Sequence, residues 1–338
     1  DEIRAMALNI YMEQSAVRDG VTAEEVKGIL LGMASGQETR LGYCRRFIRN
    51  FEKRVGINRT VGSLRAYSNA YSHIERFLQA QYKLSDIPFS ALDRSFIDKY
   101  DLYLRTERNL APGTIINLTV QLKTIVGEAI ADGIITASPF MGYEPVRPKH
   151  VQKYLTAEEL HRIMTTPLHR QTLYHVRDMF LFSCFTGIPY GDMRLLTKDN
   201  LCLAEDGIWW IKSARQKTKI EFEIPLLDLP LQILKKYSGT APGDKLLPMY
   251  CNSTLNLYLK EIARICHIDR PLVFHAGRHT YATEITLSHG VPLETVSRML
   301  GHSQIETTQI YAKVTDEKID ADTKALNRKI SERFSVVI

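Results

Sequence analysis

Residues 275–311 read HAGRHTYATEITLSHGVPLETVSRMLGHSQIETTQIY. Four residues of this stretch are candidates for chemistry, namely His275, Arg278, His302 and the late tyrosine Tyr311. No metal-ligand spacing surrounds them, so these residue types point to chemistry on a phosphodiester. An arginine fork and an imidazole can hold a phosphate, and a phenol can attack it. The segment therefore directs the functional interpretation toward phosphoryl transfer.

The same stretch carries signals for helix ends. Pro292 is typical of a helix start and Gly301 of a helix end, and residues 303–306 (SQIE) have the pattern of a capping box for the next helix. His302 is therefore predicted in a tight joint between two helices. Tyr311 is predicted more than two turns into the second of them.

The pattern H-A-G-R-H-T, followed by L-G-H-S-x-I-x-T-T-Q-I-Y-A-K-V, resembles the signature of the tyrosine site-specific recombinases, the phage-integrase family. It is most similar to the integrases of Bacteroidetes conjugative and mobilizable transposons. The similarity extends over residues 60–320. The resemblance implies that Tyr311 is the nucleophile and Arg278 a phosphate clamp. It further implies that His275 assists proton transfer and charge stabilisation, and that His302 donates a hydrogen bond to a non-bridging oxygen.

The implied reaction passes through a 3′-phosphotyrosyl bond and a Holliday junction, and needs no ATP, metal or other cofactor. A hairpin segment, residues 216–225 (QKTKIEFEIP), matches the family's β-hairpin lysine. This assigns Lys217 the role of protonating the leaving 5′-oxygen. Lys219 is the alternative, two residues further along the hairpin.

The chain departs from the family pattern T-G-x-R, because Pro189 stands at the place of the first arginine in T-G-I-P. Two residues are candidates to supply the missing charge. Arg215 is predicted to share a strand face with Lys217, since positions two apart on a strand point the same way. Arg194 is five residues after Pro189, and on a helix that spacing turns it away. We therefore expect Arg215 to act as the second arginine.

The hydrophobic periodicity predicts a mainly α protein with a small antiparallel β-sheet. The resemblance implies a helical core-binding domain and a mixed α/β catalytic domain that form a C-shaped DNA clamp. The predicted divisions are residues 1–58 (a helical connecting segment, the arm-binding domain being absent or trimmed away), 59–138 (core-binding domain), 139–150 (proline-rich linker) and 151–338 (catalytic domain). The apolar C-terminal tail, residues 330–338, is expected either to pack on its own domain or to dock onto a neighbouring protomer.

Composition sets the broad class. The 338 residues carry a net charge of +6, and the five cysteines include no C-x-x-C pair. A disulfide framework is therefore not expected, no apolar run is long enough for a membrane helix, and the cytoplasm is the expected compartment. Residues 41–60 hold six basic residues against one acid, which indicates either a solvated helix face or a phosphate-tracking strip.

The partners implied by the resemblance are double-stranded DNA core sites and a homotetramer assembled on them. A host DNA-bending factor and an accessory protein are further candidate partners. Two rival functions share features with this chain. A type IB topoisomerase would nick and reseal a single duplex, and a DNA-binding regulator with a decayed active site would explain Pro189.

Overall fold

The computed structural model describes residues 2–16, 20–34, 40–83, 86–87, 92–147, 153–311 and 316–331. The chain divides into two compact units, Asp1–His150 and Val151–Ile338. Within the described residues, no helix is both long and apolar enough to span a bilayer.

The first unit is helical. Several of its helices begin where the sequence places a capping side chain: Thr60 accepts a hydrogen bond from the Ser63 backbone N–H, and Asp93 accepts one from that of Phe96. Pro112 occupies the first turn of the last helix in this unit. The helices found in its described residues are α1 (Glu2–Ser15), α2 (Ala23–Ala34), α3 (Arg40–Glu52), α4 (Val61–Tyr82), α5 (Arg94–Thr106) and α6 (Pro112–Ala131).

The core of the first unit extends beyond the range 59–138 that the sequence suggested. Leu41 and Cys44 of α3 are buried against the apolar faces of α4 to α6. Phe140 and Tyr143, in the segment predicted as a linker, are buried in the same core. Prolines exclude this segment from helices and sheets. Its aromatic side chains nevertheless bury apolar surface in the core of the first unit, which removes that surface from water.

The second unit combines helices with one small sheet. Its strands form a three-stranded antiparallel sheet in the order β1-β2-β3, with Leu201 opposite Ile211 and Trp210 opposite Pro225. The strands are β1 (Leu201–Leu203), β2 (Trp209–Ala214) and β3 (Glu221–Pro225). The α-helices are α7 (Ala157–Thr165), α8 (Gln171–Thr186), α9 (Tyr190–Met193), α10 (Asp228–Lys236), α11 (Asn252–Ile265), α12 (Ala276–Thr280), α13 (Leu293–Leu300), α14 (Glu306–Gln309) and α15 (Asp316–Ser331).

Helix α8 lies at the centre of this unit. Its side chains Phe180 and Phe182 are fully buried, and α10, α11 and α12 pack around it. The helix ends at Gly187, which adopts φ +69°. After α12 the chain continues through a π-helical segment, Tyr281–Thr286, before α13 begins.

The structure confirms the mainly helical fold with a small antiparallel sheet, the hairpin, and the helix that runs from Pro292 to Gly301. The capping box predicted for residues 303–306 is wrong, because α14 begins at Glu306 without a side-chain cap. Tyr311 is therefore not two turns into a helix; it lies two residues beyond the four-residue α14. The C-terminal tail after Ser331 and the A-K-V part of the motif lie outside the described residues.

Replacing Gly187 with alanine is expected to destabilise the second unit. The left-handed φ disfavours any side chain, and an added Cβ would lie 2.5 Å from Tyr281 Cδ1 and 2.8 Å from Leu300 Cδ2. We expect a loss of about 2 kcal/mol or more in the free energy of unfolding. Urea titration followed by the fluorescence of the two tryptophans, both on β2, measures it.

Gly290→Ala is the matched control for this measurement. Gly290 also has a left-handed φ, +81°, but no atom lies within 4 Å of its added Cβ. The control therefore introduces backbone strain without a clash. Equal shifts of the unfolding midpoint in the two variants would contradict the argument from close approach.

Candidate active site

The site is built around Arg278, a buried guanidinium on α12. Only 3% of this residue is exposed. Its Nη1 donates to the Gly187 carbonyl (2.9 Å) and its Nη2 to the Leu300 carbonyl (2.7 Å), with His302 Nε2 2.8 Å from the same Nη2. Burial lowers the pKa of Arg278 to about 10, and the nearby charge of Arg215 adds to that effect. The group therefore remains protonated at neutral pH.

Arg215 lies beside Arg278. Its Nη1 donates to the same Leu300 carbonyl oxygen, at 3.0 Å, so two guanidinium groups converge on one acceptor. Gly301 keeps this approach open, because a Cβ there would meet Arg215 Cγ at 2.9 Å. Arg215 was predicted here because positions two apart on a strand point the same way, but that reason does not apply. Strand β2 ends at Ala214, and Arg215 and Lys217 belong to the turn region that follows.

A buried carboxylate holds Arg215 in place. Asp192 Oδ2 is 2.7 Å from Arg215 Nε, and the two side chains are only 5% and 16% exposed. The other carboxylate oxygen, Oδ1, accepts a hydrogen bond from the Gln216 backbone N–H (2.8 Å). Asp192 is the seventh residue after Phe185 in the segment FTGIPYGD, so the chain that lacks an arginine at Pro189 keeps an acid three residues later. This ion pair connects α9 to the end of β2.

His302 lies in the joint between α13 and α14, as predicted, but its hydrogen bonds differ from the implied role. Arginine can only donate, so His302 Nε2 accepts from Arg278 and Nδ1 carries the proton. That proton is donated to Thr308 Oγ1, 2.8 Å away. Burial and the charges of Arg278 and Arg215 lower the pKa of His302 to about 4. The ring is neutral, and its Nε2 could donate to a phosphate oxygen only after a change of tautomer or protonation.

Tyr311 is 8% exposed, and its ring lies between two imidazoles. The His302 ring is nearly parallel to it at a centroid distance of 6.4 Å, and the His279 ring is inclined by 63° at 5.1 Å. Burial raises the pKa of Tyr311, while Arg278 and Arg215 act in the opposite direction. Desolvation outweighs the two cations, so the net shift of this pKa is upward.

His275 stands at the start of α12, with its ring 4.9 Å from that of His279. Partial desolvation lowers the pKa of His275, and the positive charges of Arg278, Arg215 and Lys153 lower it further. The structure therefore brings His275, Arg278, His302, Tyr311 and Arg215 into one cluster.

The remaining candidates lie on exposed parts of the second unit. Lys217 is exposed in the turn between β2 and β3, and Lys219 follows it with φ +60°. Arg194 is exposed at the end of α9. Within the described ranges, no group of three or more His, Cys, Asp or Glu side chains is placed to hold a metal ion.

Sequence reasoning missed four residues of this cluster: His279, Asp192, Thr308 and Lys153. Three of them had a signal, since His279 and Thr308 stand in the quoted motif and Asp192 follows the T-G-I-P segment by three residues. Lys153 had none. Its position depends on tertiary contacts, such as the hydrogen bond from the Leu155 backbone N–H to Thr280 Oγ1 that fixes the start of this unit on α12.

The lowered pKa of His302 makes the free energy of unfolding depend on pH. Its pKa is about 4 in the folded chain and near 6.5 in an unfolded one. The unfolded state therefore binds the proton first, and the free energy of unfolding falls as pH is lowered from about 7 toward 4. His302→Gln removes this group, so we expect a smaller loss of stability between pH 7 and pH 5, measured by urea titration. His161→Gln, at an exposed position of α7, is the control and keeps the parent's pH dependence. An unchanged pH dependence in His302→Gln would contradict this account.

Comparisons with known proteins identify the family. The phage integrase family model matches residues 153–318, and the model of the phage integrase SAM-like domain matches residues 41–145. The tyrosine recombinase XerD of Listeria monocytogenes serovar 1/2a is 25% identical over 273 residues, covering 76% of this chain and 89% of that protein. XerD of Pseudomonas putida is 30% identical over 152 residues, covering 41% of this chain and 49% of that protein.

Two solved structures share the fold. The Tn1549 transposon integrase in complex with transposon right end DNA aligns with a TM-score of 0.64 at 18% identity, covering 84% of this chain and 99% of the other. A lambda integrase dimer bound to a COC′ core site aligns with a TM-score of 0.66 at 18% identity, covering 82% and 98%. The chain belongs to the phage integrase family and is a tyrosine recombinase, an enzyme of site-specific DNA recombination.

Proposed function

We propose that this chain is an active integrase of a mobile element, with Tyr311 as its nucleophile. The observation that carries the proposal is the convergence of two guanidinium groups near Tyr311. Arg278 and Arg215 both donate to the Leu300 carbonyl oxygen, and both affect the pKa of Tyr311. A phosphodiester needs two such cations to stabilise the charge that builds on its oxygens. Pro189 removes one from its usual place, and Arg215 supplies one from the hairpin.

In the proposed reaction, the phenol oxygen of Tyr311 attacks the phosphorus and displaces the 5′-oxygen of the next nucleotide. A 3′-phosphotyrosyl bond forms, and the proton that the leaving oxygen needs comes from Lys217, with Lys219 as the alternative. His275 assists proton transfer by accepting the proton that the phenol loses. Attack by a 5′-hydroxyl of a second duplex reverses the step, so that two rounds of exchange pass through a Holliday junction.

Arrival of the DNA phosphate changes the electrostatics of the cluster. Burial lowers the pKa values of His275 and His302, and the charges of Arg278 and Arg215 lower both further. An anionic phosphate among these cations offsets their effect, because opposite charges favour the protonated imidazole. We infer that His302 becomes a hydrogen-bond donor to the phosphate at that stage, when Arg278 also turns its donors toward the anion.

The mobile-element context rests on the T-G-I-P departure. Some integrases of the Bacteroidetes transposon subgroup also lack this arginine, and we propose that this chain is closest to them. We further propose double-stranded DNA core sites as the substrate, four protomers assembled on two sites, and a cytoplasmic location with the bacterial DNA. Basic side chains of α3 support a DNA surface on the first unit, since Arg45 and Arg46 remain about half exposed beside Asp86 and Asp132.

The test of this function is covalent trapping. In nicked DNA that carries the element's own end sequence, the short fragment with the new 5′-hydroxyl dissociates after attack. The phosphotyrosyl adduct then cannot religate and accumulates. We expect an adduct on denaturing gels with the parent and none with Tyr311→Phe, while DNA binding is retained in both. Binding without any adduct in the parent would favour a decayed DNA-binding regulator. Relaxation of one supercoiled plasmid without strand transfer between two DNAs would favour a topoisomerase.

The second test concerns the arginine that replaces the missing one. We expect Arg215→Ala to slow single-turnover cleavage about a hundredfold, because losing a buried charge-assisted contact costs on the order of 3 kcal/mol of transition-state stabilisation. Arg194→Ala, at the exposed residue that follows α9, is expected to cleave at about the parent rate. A fast Arg215→Ala together with a slow Arg194→Ala would reverse the assignment.

Arg215→Ala also leaves the buried Asp192 carboxylate without its partner, which destabilises the fold by itself. The double variant Arg215→Ala/Asp192→Asn removes both charges and serves as the folding control. Thermal unfolding of the single and double variants identifies loss of fold. A double variant that is as stable as the parent and still slow assigns the defect to the missing guanidinium.

A further inference from the structure

The reaction proposed above gives no role to His279, although its side chain contacts the nucleophile. His279 directly follows Arg278 on α12, and its ring lies between the rings of His275 and Tyr311. The centroid distances are 4.9 Å to His275, at an interplanar angle of 86°, and 5.1 Å to Tyr311, at 63°. Both arrangements are the inclined geometry that aromatic pairs prefer.

The two sides of the His279–Tyr311 contact differ in how firmly the backbone holds them. Helix α12 is fixed against α8, since a Cβ on Gly277 would lie 2.9 Å from Ser183 Oγ. It is also tied to the start of the unit, where the Leu155 backbone N–H donates to Thr280 Oγ1. Tyr311, by contrast, lies in a turn two residues beyond a four-residue helix. Its ring therefore depends on side-chain contacts for its orientation.

We propose that His279 is a positioning residue, which fixes the phenol ring of Tyr311 in the orientation needed for attack. The nearly parallel His302 ring limits the phenol on a second side. This inference rests on the proposed nucleophilic role of Tyr311. It adds that the orientation of the nucleophile is set from α12, the helix that also carries the phosphate-binding Arg278.

The electrostatics of His279 agree with a positioning role. Burial, together with the charges of His275, Lys153 and Arg278, lowers the pKa of His279 to about 4. At neutral pH the ring therefore adds no charge beside Arg278. A neutral ring can hold the phenol by shape and by edge-to-face contact, without competing with the arginines for the phosphate.

Three variants separate the ring from its nitrogen atoms. His279→Ala removes both, His279→Asn keeps a polar group without a ring, and His279→Phe keeps a ring without nitrogens. We expect single-turnover cleavage of nicked DNA to slow by roughly tenfold to a hundredfold in the first two, as misplaced reacting groups do. His279→Phe recovers most of that loss. DNA affinity and thermal midpoint stay near parent values, and His161→Ala on α7 is the matched histidine control.

A second measurement distinguishes positioning of the nucleophile from action on the phosphate. In a Tyr311→Phe background, hydrogen peroxide replaces the phenol; its anion attacks the same phosphorus and displaces the same 5′-oxygen. If His279 positions Tyr311, adding His279→Ala leaves the rate of this peroxide reaction unchanged. A rate that falls as far as it does with Tyr311 present would overturn the proposal. So would parent-like cleavage by His279→Ala, or a His279→Phe variant as slow as His279→Ala.

The outcomes also keep this inference apart from the proposed function. Absence of an adduct with the parent chain, or an adduct that persists in Tyr311→Phe, refutes the role of Tyr311 and with it the reason for positioning. A normal parent adduct that His279→Ala leaves unchanged in rate refutes only the role of His279.

Discussion

The carbonyl oxygen of Leu300 is the point on which the site depends. It belongs to the last residue of α13, and the last carbonyls of a helix have no partner within it. The partial negative charge of the helix end also favours cations. Here that one oxygen accepts from Arg278, 22 residues away in the chain, and from Arg215, 85 residues away. Two like charges are thereby held side by side before any phosphate arrives.

Charge in the site without DNA is limited by the protein itself. Asp192 offsets one guanidinium as a buried ion pair. The imidazoles of His279 and His302 add no charge at neutral pH, because burial and the nearby cations lower their pKa values to about 4. Tyr311 is likewise held in its protonated form, because burial raises its pKa. The cluster is thus a set of neutral rings around two fixed cations. An anion that enters it raises the pKa values of the histidines.

Local sequence patterns predicted much of this architecture, and their failures have a common cause. The helix start at Pro292 and the helix end at Gly301 follow from backbone preferences that act within one turn. The capping box at 303–306 failed because α14 begins only at Glu306, and a side-chain hydrogen bond in this segment joins His302 to Thr308 instead. The choice of Arg215 was right about its place in the cluster and wrong about the reason. Its position depends on Asp192, which no local rule connects to it.

The ion pair between Asp192 and Arg215 has a consequence for motion. In a chain with the T-G-x-R pattern, the first guanidinium belongs to the segment after α8 and stays there whatever the hairpin does. In this chain the corresponding charge is attached to the hairpin that also bears Lys217, and within the described residues the Asp192 carboxylate and the Leu300 carbonyl hold it in place. If Arg215 and Lys217 act as we propose, seating the hairpin completes the pair of cations and places the proton donor in a single event. Displacing the hairpin would then disrupt phosphate binding and leaving-group protonation together.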